Sequence, residues 1–134
     1  MNRAEKALAY HKQGYNCSQA VACAFCDKMG LDEVLVFKMM EGFGFGDSDS
    51  YGTCGAVAAM AAVMGMALSS GNLEKPDSKQ KTYAKVRELN AKFREMNKST
   101  ICRDLKGMDT GVVLRSCDGC IEDAAKILME AFGE

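Results

Sequence analysis

Cysteine is the residue type here that could do chemistry. It stands at positions 17, 23, 26, 54, 102, 117 and 120 of a 134-residue chain. The thiolate, not the thiol, attacks disulfides and binds soft metals. An odd count argues against a framework of purely structural disulfides. Four of the seven fall where helices should begin. Cys17 follows Asn16, Cys54 follows Thr53, Cys102 lies two places after Thr100, and Cys117 follows Ser116. Unpaired N–H groups point out of a helix start, and the macrodipole adds about half a positive charge there. A thiol with an ordinary pKa of ~8.5 becomes reactive near neutrality in that position. Gly52 and Gly55 flank Cys54 and leave room for a ligand or a second sulfur to approach the backbone. These features make Cys54 the expected attacking thiol.

Cys117 and Cys120 form a C-x-x-C pair, "CDGC". A thioredoxin-like motif needs a preceding strand, and none is expected. Attachment of a c-type haem needs histidine where Ile121 stands, and a zinc finger needs a second knuckle. The pair therefore reads as half of a cluster completed by distant helices, and as the expected vicinal dithiol. Cys23 and Cys26 lie inside a helical pattern and read as small apolar core residues.

Other motifs carry less. "GFGFGD" lacks the spacing and the leading strand of a dinucleotide fingerprint. "DSDSYG" resembles the front of a calcium loop, but Ala58 occupies the place of the closing glutamate. His11, the one histidine, reads as an interior residue on the apolar face of the first helix. Met39, Met40, Met60 and Met64 could serve copper(I) but read as core filler.

These thiols must be positioned by helices. Arg3–Gln13 is a short helix with Ala4, Ala7, Leu8 and His11 on one face. Asn16 and Gln19 compose a capping box for a helix from Cys17 to about Met29, which Gly30 stops. Asp32 opens a third helix ending at Gly42. A glycine-rich loop, "GFGFGDSDSYG", then leads to a central helix from Cys54 to Leu68 that carries no charge. A long helix covers about Asp77 to Asn97, with Tyr83, Val86, Leu89, Phe93 and Met96 inward. A short turn capped by Ser99 or Thr100 carries Cys102. The last helix starts near Ser116 with Ile121, Ala124, Ala125, Leu128 and Phe132 at core spacing. No stretch alternates like a strand. The expectation is an all-α single domain over residues 1–134, a bundle of five to six helices.

The totals exclude several classes. A net charge of −1 leaves no electrostatic footprint for nucleic acid. The apolar stretch from Cys54 to Leu68 is shorter than the ~20 residues that span a bilayer. The start, "MNRAEKALAYHKQGYN", lacks the apolar centre of a secretory signal. A cytoplasmic location, with reduced thiols, is the expectation. Methionine content and apolar surplus are compatible with a homodimer.

"GYNCSQAV", "GTCGA", "CRDLKG" and a cysteine ahead of "IEDAAKIL" together resemble the redox-active protein family named for its C_GCAxxG_C_C motif, over about Gly14 to Met129. The resemblance implies Cys17, Cys54, Cys102 and Cys117 as signature cysteines. Ala59 stands where the family has glycine, and Cys120 is an addition that could act as a resolving thiol. The family's members tend to be encoded near transporters, which implies a transporter-associated setting with an unidentified redox partner. A related cysteine arrangement in split-Soret cytochromes accompanies a non-haem iron–sulfur centre. Two functions follow as expectations. One is a thiol-based redox protein using Cys54, Cys17, Cys102, Cys117 and Cys120, with Gly52 and Gly55 beside the site. The other is a binding module in which Cys17, Cys54, Cys102 and Cys117 ligate an iron–sulfur cluster or zinc.

Overall fold

Short polar side chains begin half of the helices. The computed structural model describes residues 1–134. The Asn2 side chain accepts from Glu5 N–H and starts α1, Arg3–Lys12. Asn16 and Gln19 complete their capping box and start α2, Cys17–Cys23. Asp32 accepts from Leu35 N–H and starts α4, Glu33–Met40. Ser116 accepts from Gly119 N–H and starts α8, Cys117–Ala131. Each such cap is worth about 1 kcal/mol and fixes where the first turn lies.

The remaining helices are α3, Cys26–Met29; α5, Gly55–Leu68; α6, Lys79–Asn97; and α7, Cys102–Lys106. There are thus eight right-handed helices, not five to six. The helix expected from Cys17 to Met29 breaks at Ala24 and Phe25, where Phe25 leaves helical geometry to fill the core. The turn expected at "ICRDLKGM" is a helix in its own right. Its cap is Ile101, with no side-chain bond, in place of Ser99 or Thr100.

The segment expected as an open glycine-rich loop is wound tightly. A 3-10 turn, Glu41–Phe43, runs into a left-handed turn in which Phe45, Gly46 and Asp47 all have φ between 54° and 57°. Gly44 and Gly46 are buried. L-residues avoid this region, so something must hold it. Ser50 N–H donates to the Phe45 carbonyl at 2.7 Å and Gly52 N–H to the Gly46 carbonyl at 3.0 Å.

The uncharged α5 is the centre. It packs on α2, α6, α8 and α3, and α1 closes over α8 and α2. Phe25, Met60, Leu89, Phe93, Ile121 and Leu128 belong to one continuous core. Tyr83 and Met96, expected inward on α6, are about half exposed; Leu89, Phe93 and Asn97 form its buried face instead. No strand forms, and the sole ladder contact is an isolated antiparallel bridge between Thr53 and Ile101. No helix is long and apolar enough to cross a membrane.

Gly46 gives this arrangement a sharp test. A β-carbon there would meet the Cys102 β-carbon at 2.6 Å and would sit at φ 57°. Gly46→Ala should destabilise the protein by about 1–3 kcal/mol. Gly42, with nothing within 4 Å of its virtual β-carbon, is the control, and Gly42→Ala should stay within about 0.5 kcal/mol. Urea unfolding of the two variants measures the difference.

Candidate functional site

Two backbone segments meet beside the core. Cys54 N–H donates to the Thr100 carbonyl at 2.8 Å, and Cys102 N–H donates to the Gly52 carbonyl at 3.1 Å. Arg103 N–H donates to the Ser50 carbonyl at 2.9 Å, and its guanidinium donates to Ser50 Oγ at the same distance. This pairing sets Cys54 and Cys102 side by side at the starts of α5 and α7. The capping box on α2 brings Cys17 to the same place. A β-carbon at Gly55 would collide with Cys17 Sγ, so the absence of a side chain there lets that sulfur lie against the α5 backbone. At Gly52 the crowding group is the Asp47 carboxylate, not a sulfur.

The result is a cavity of about 170 Å³ whose wall includes Cys17, Cys54, Cys102, Cys117 and Cys120. Cys54, Cys102 and Cys120 are buried; Cys17 and Cys117 are half-buried; no disulfide is present. Cys17, Cys102 and Cys117 are first residues of their helices, whereas Cys54 is itself the cap of α5. Cys120 lies one turn into α8. Cys23 lies outside this cavity, buried, with its thiol near the Glu33 carbonyl at 3.8 Å, and Cys26 lies half-buried near the chain termini.

The thiols are electrostatically unequal. Cys54 is lowered to about 7. The Cys120 thiol, donating a hydrogen bond to it, is the main cause; burial opposes; the Val57 and Ala56 N–H groups at the start of α5 and the charge of Lys106 assist. Cys120 moves upward, because it is the donor to Cys54 and is buried. Burial raises Cys102 to about 11, and burial with the neighbouring Cys54 raises Cys17. Cys54 is drawn down while Cys17, Cys102 and Cys120 are pushed the other way. The intimate pair is thus Cys54 with Cys120, while Cys117 instead accepts from Lys106 Nζ at 3.1 Å.

Two basic residues of this wall, Lys106 and Arg115, escaped the sequence reading, and a third, His11, lies elsewhere than expected. Lys106 reaches the cavity and lies 5.6 Å from the Phe45 ring centroid. Its signal was present: it stands four residues after Cys102 on a helix, hence on the same face. Arg115 bonds Asp123 through Nε at 3.0 Å and Nη2 at 3.2 Å, and Asp123 also accepts from Asn97 at 3.1 Å. This anchors the segment leading into α8. His11, expected as an interior residue, is partly exposed and bonds Asp118 at 2.6 Å across the cavity edge.

No group of three or more His, Cys, Asp or Glu side chains is arranged to hold a metal ion. Cys17, Cys54, Cys102 and Cys117 share one cavity wall. A family model described as "Putative redox-active protein (C_GCAxxG_C_C)" matches residues 15–131. No curated protein and no solved structure matches the chain.

The inequality among thiols predicts a titration. Alkylation of Cys54 by iodoacetamide should reach half its maximal rate near pH 7, while Cys102 stays protected until the pH approaches 11. Lys106→Gln should move the Cys54 midpoint upward. The linked stability has a defined sign. Cys54 is lowered on folding, so its contribution is present above the unfolded value of ~8.5 and is lost as pH falls through about 7. Peptide mass spectrometry across a pH series reads the first effect and urea unfolding the second.

Proposed function

Since the chain belongs to the C_GCAxxG_C_C family of redox-active proteins, we propose that its five-cysteine cavity is the redox centre and works by thiol–disulfide chemistry. The observation that carries this reading is the single cavity lined by both Cys54, the one cavity thiol drawn down toward neutrality, and Cys120, which is pushed upward. Cys54 is the attacking thiolate. It displaces a leaving group from a disulfide or another two-electron oxidant and becomes covalently bound. Cys120, on the same cavity wall, attacks the Cys54 sulfur; the bond from Cys54 to the bound group breaks, that group leaves as the second product, and a Cys54–Cys120 disulfide remains. A reductant then restores both thiols. Lys106 supplies a positive charge that favours the thiolate, and the N–H groups at the start of α5 do the same.

Cys17, Cys102 and Cys117 complete the cavity wall. Cys102 and Cys17, held as thiols, keep negative charge concentrated on Cys54. Gly55 makes the approach of Cys17 possible, and Gly52 lets the segment before Cys54 pass close to Asp47. We take residues 1–134 as a single domain acting on its own redox partner in the cytoplasm. No group of cysteines is arranged around a single metal ion, which favours thiol chemistry over zinc ligation as the reading.

Anaerobic purification followed by metal analysis and thiol mapping tests the reading. The expected protein is colourless and metal-free. Mild oxidation should remove two hydrogens and link Cys54 to Cys120, reversibly with dithiothreitol. Cys54→Ser should abolish the link. Cys120→Ser should instead hold a mixed disulfide at Cys54. Stoichiometric iron or zinc, or an unreactive Cys54, would overturn it.

A further inference from the structure

The oxidant that this centre accepts is constrained by access. Cys54 is 6% exposed and Cys120 is 3% exposed. The cavity that reaches them holds about 170 Å³, the room of roughly six water molecules. Seven of its eleven lining residues are hydrophobic, cysteines included. A disulfide carried on another protein, or between two tripeptides, would leave most of its bulk outside. It would also have to set three sulfurs in line at the cavity floor. Both Arg115 and His11 on the wall are paired to carboxylates. Lys106 pairs with none and bonds only a sulfur.

From the size of this cavity and the burial of both thiols, resting on the thiol-redox reading above, we infer that the substrate is a small hydroperoxide, with hydrogen peroxide or a short alkyl hydroperoxide as the oxidant. The Cys54 thiolate attacks the terminal oxygen. A sulfur–oxygen bond forms, the oxygen–oxygen bond breaks, and its electron pair leaves on the alkoxide. The Lys106 ammonium gives that alkoxide a proton and is later reprotonated by solvent. Cys54 is thereby oxidised by two electrons to a sulfenic acid, and the hydroperoxide is reduced to an alcohol. The Cys120 thiol then attacks Cys54. The sulfur–sulfur bond forms, the sulfur–oxygen bond breaks, and hydroxide departs with the Cys120 proton as water. Together, one thiolate, one thiol, one hydroperoxide and one proton yield a disulfide, an alcohol and water.

The fold suits both steps. The attacking sulfur and the resolving sulfur line the same cavity before oxidation, so the second step needs no unfolding of α8. In a two-cysteine site whose partners lie far apart, the sulfenic acid must wait for a conformational change. Here the wait is short, which protects the sulfur from further oxidation.

The test uses the reduced full chain, anaerobic and near neutral pH. Equimolar hydrogen peroxide, tert-butyl hydroperoxide and oxidised glutathione are mixed with it separately, then quenched by alkylation and mapped by mass spectrometry. Hydrogen peroxide should form the Cys54–Cys120 disulfide roughly a hundredfold faster than oxidised glutathione, because the cavity excludes the larger oxidant. With Cys120→Ser, dimedone should trap a sulfenic acid on Cys54. Oxidised glutathione reacting as fast, with glutathione joined to Cys54, would overturn the hydroperoxide assignment while leaving the thiol-redox function standing. First oxidation at the more exposed Cys117 would also overturn it. Failure of every oxidant to join Cys54 to Cys120 would bring down the thiol-redox function, and this inference with it.

Discussion

Two hydrogen bonds between distant stretches of backbone, Cys54 N–H to Thr100 and Cys102 N–H to Gly52, hold the rest of the arrangement together. They make a two-residue ladder in a protein with no strands. In doing so they align the starts of the central helix and of a five-residue helix that could not persist alone, since isolated helices shorter than ~12 residues are marginal in water. The left-handed turn before Gly52 is tied to the same strip through Ser50 and Gly52. The cavity's floor depends on this crossing, because it converts two remote sulfurs, those of Cys54 and Cys102, into neighbours.

Once the sulfurs are neighbours, electrostatics allows only one of them to ionise readily. A buried thiolate repels a second one, and burial disfavours each. Cys54 gains the charge because it alone combines a helix start, a donor thiol and a nearby lysine. Its neighbours are pushed the other way by the same charge. Functional asymmetry thus arises without any difference in residue type, from position alone.

Helix existence was legible in the sequence, and so were several caps. Asn16 with Gln19, Asp32 and Ser116 are local signals whose partners lie three residues away. The core face of α8 followed from spacing, with Ile121, Ala124, Ala125 and Leu128 buried. What local signals miss is non-local. The break at Phe25 is set by the core it enters. Tyr83 and Met96 fit the period of α6 but lie beyond what the bundle covers. The glycine run looked like an open loop because composition cannot show that three successive residues adopt left-handed geometry. At the site, the signature cysteines were marked by their place at helix starts, but the partnership of Cys54 with Cys120 was not. It crosses 66 residues and depends on how α5 and α8 pack. Lys106 was readable from its spacing to Cys102 and was passed over among the other solvent-facing charges.

Cys54 is at once a reactive thiol and the terminal residue of the helix on which the core is built. Nature's usual choice there is serine, threonine, asparagine or aspartate. Using a thiolate links the electron count of the site to the stability of the central rod. On the proposed reading, the dithiol state keeps an anion at the rod's positive end, and the disulfide state surrenders it. Thermodynamic linkage then favours the dithiol, so the bridge, once made, is an easily reduced one. The molecule is thus weighted toward rearming after each turnover.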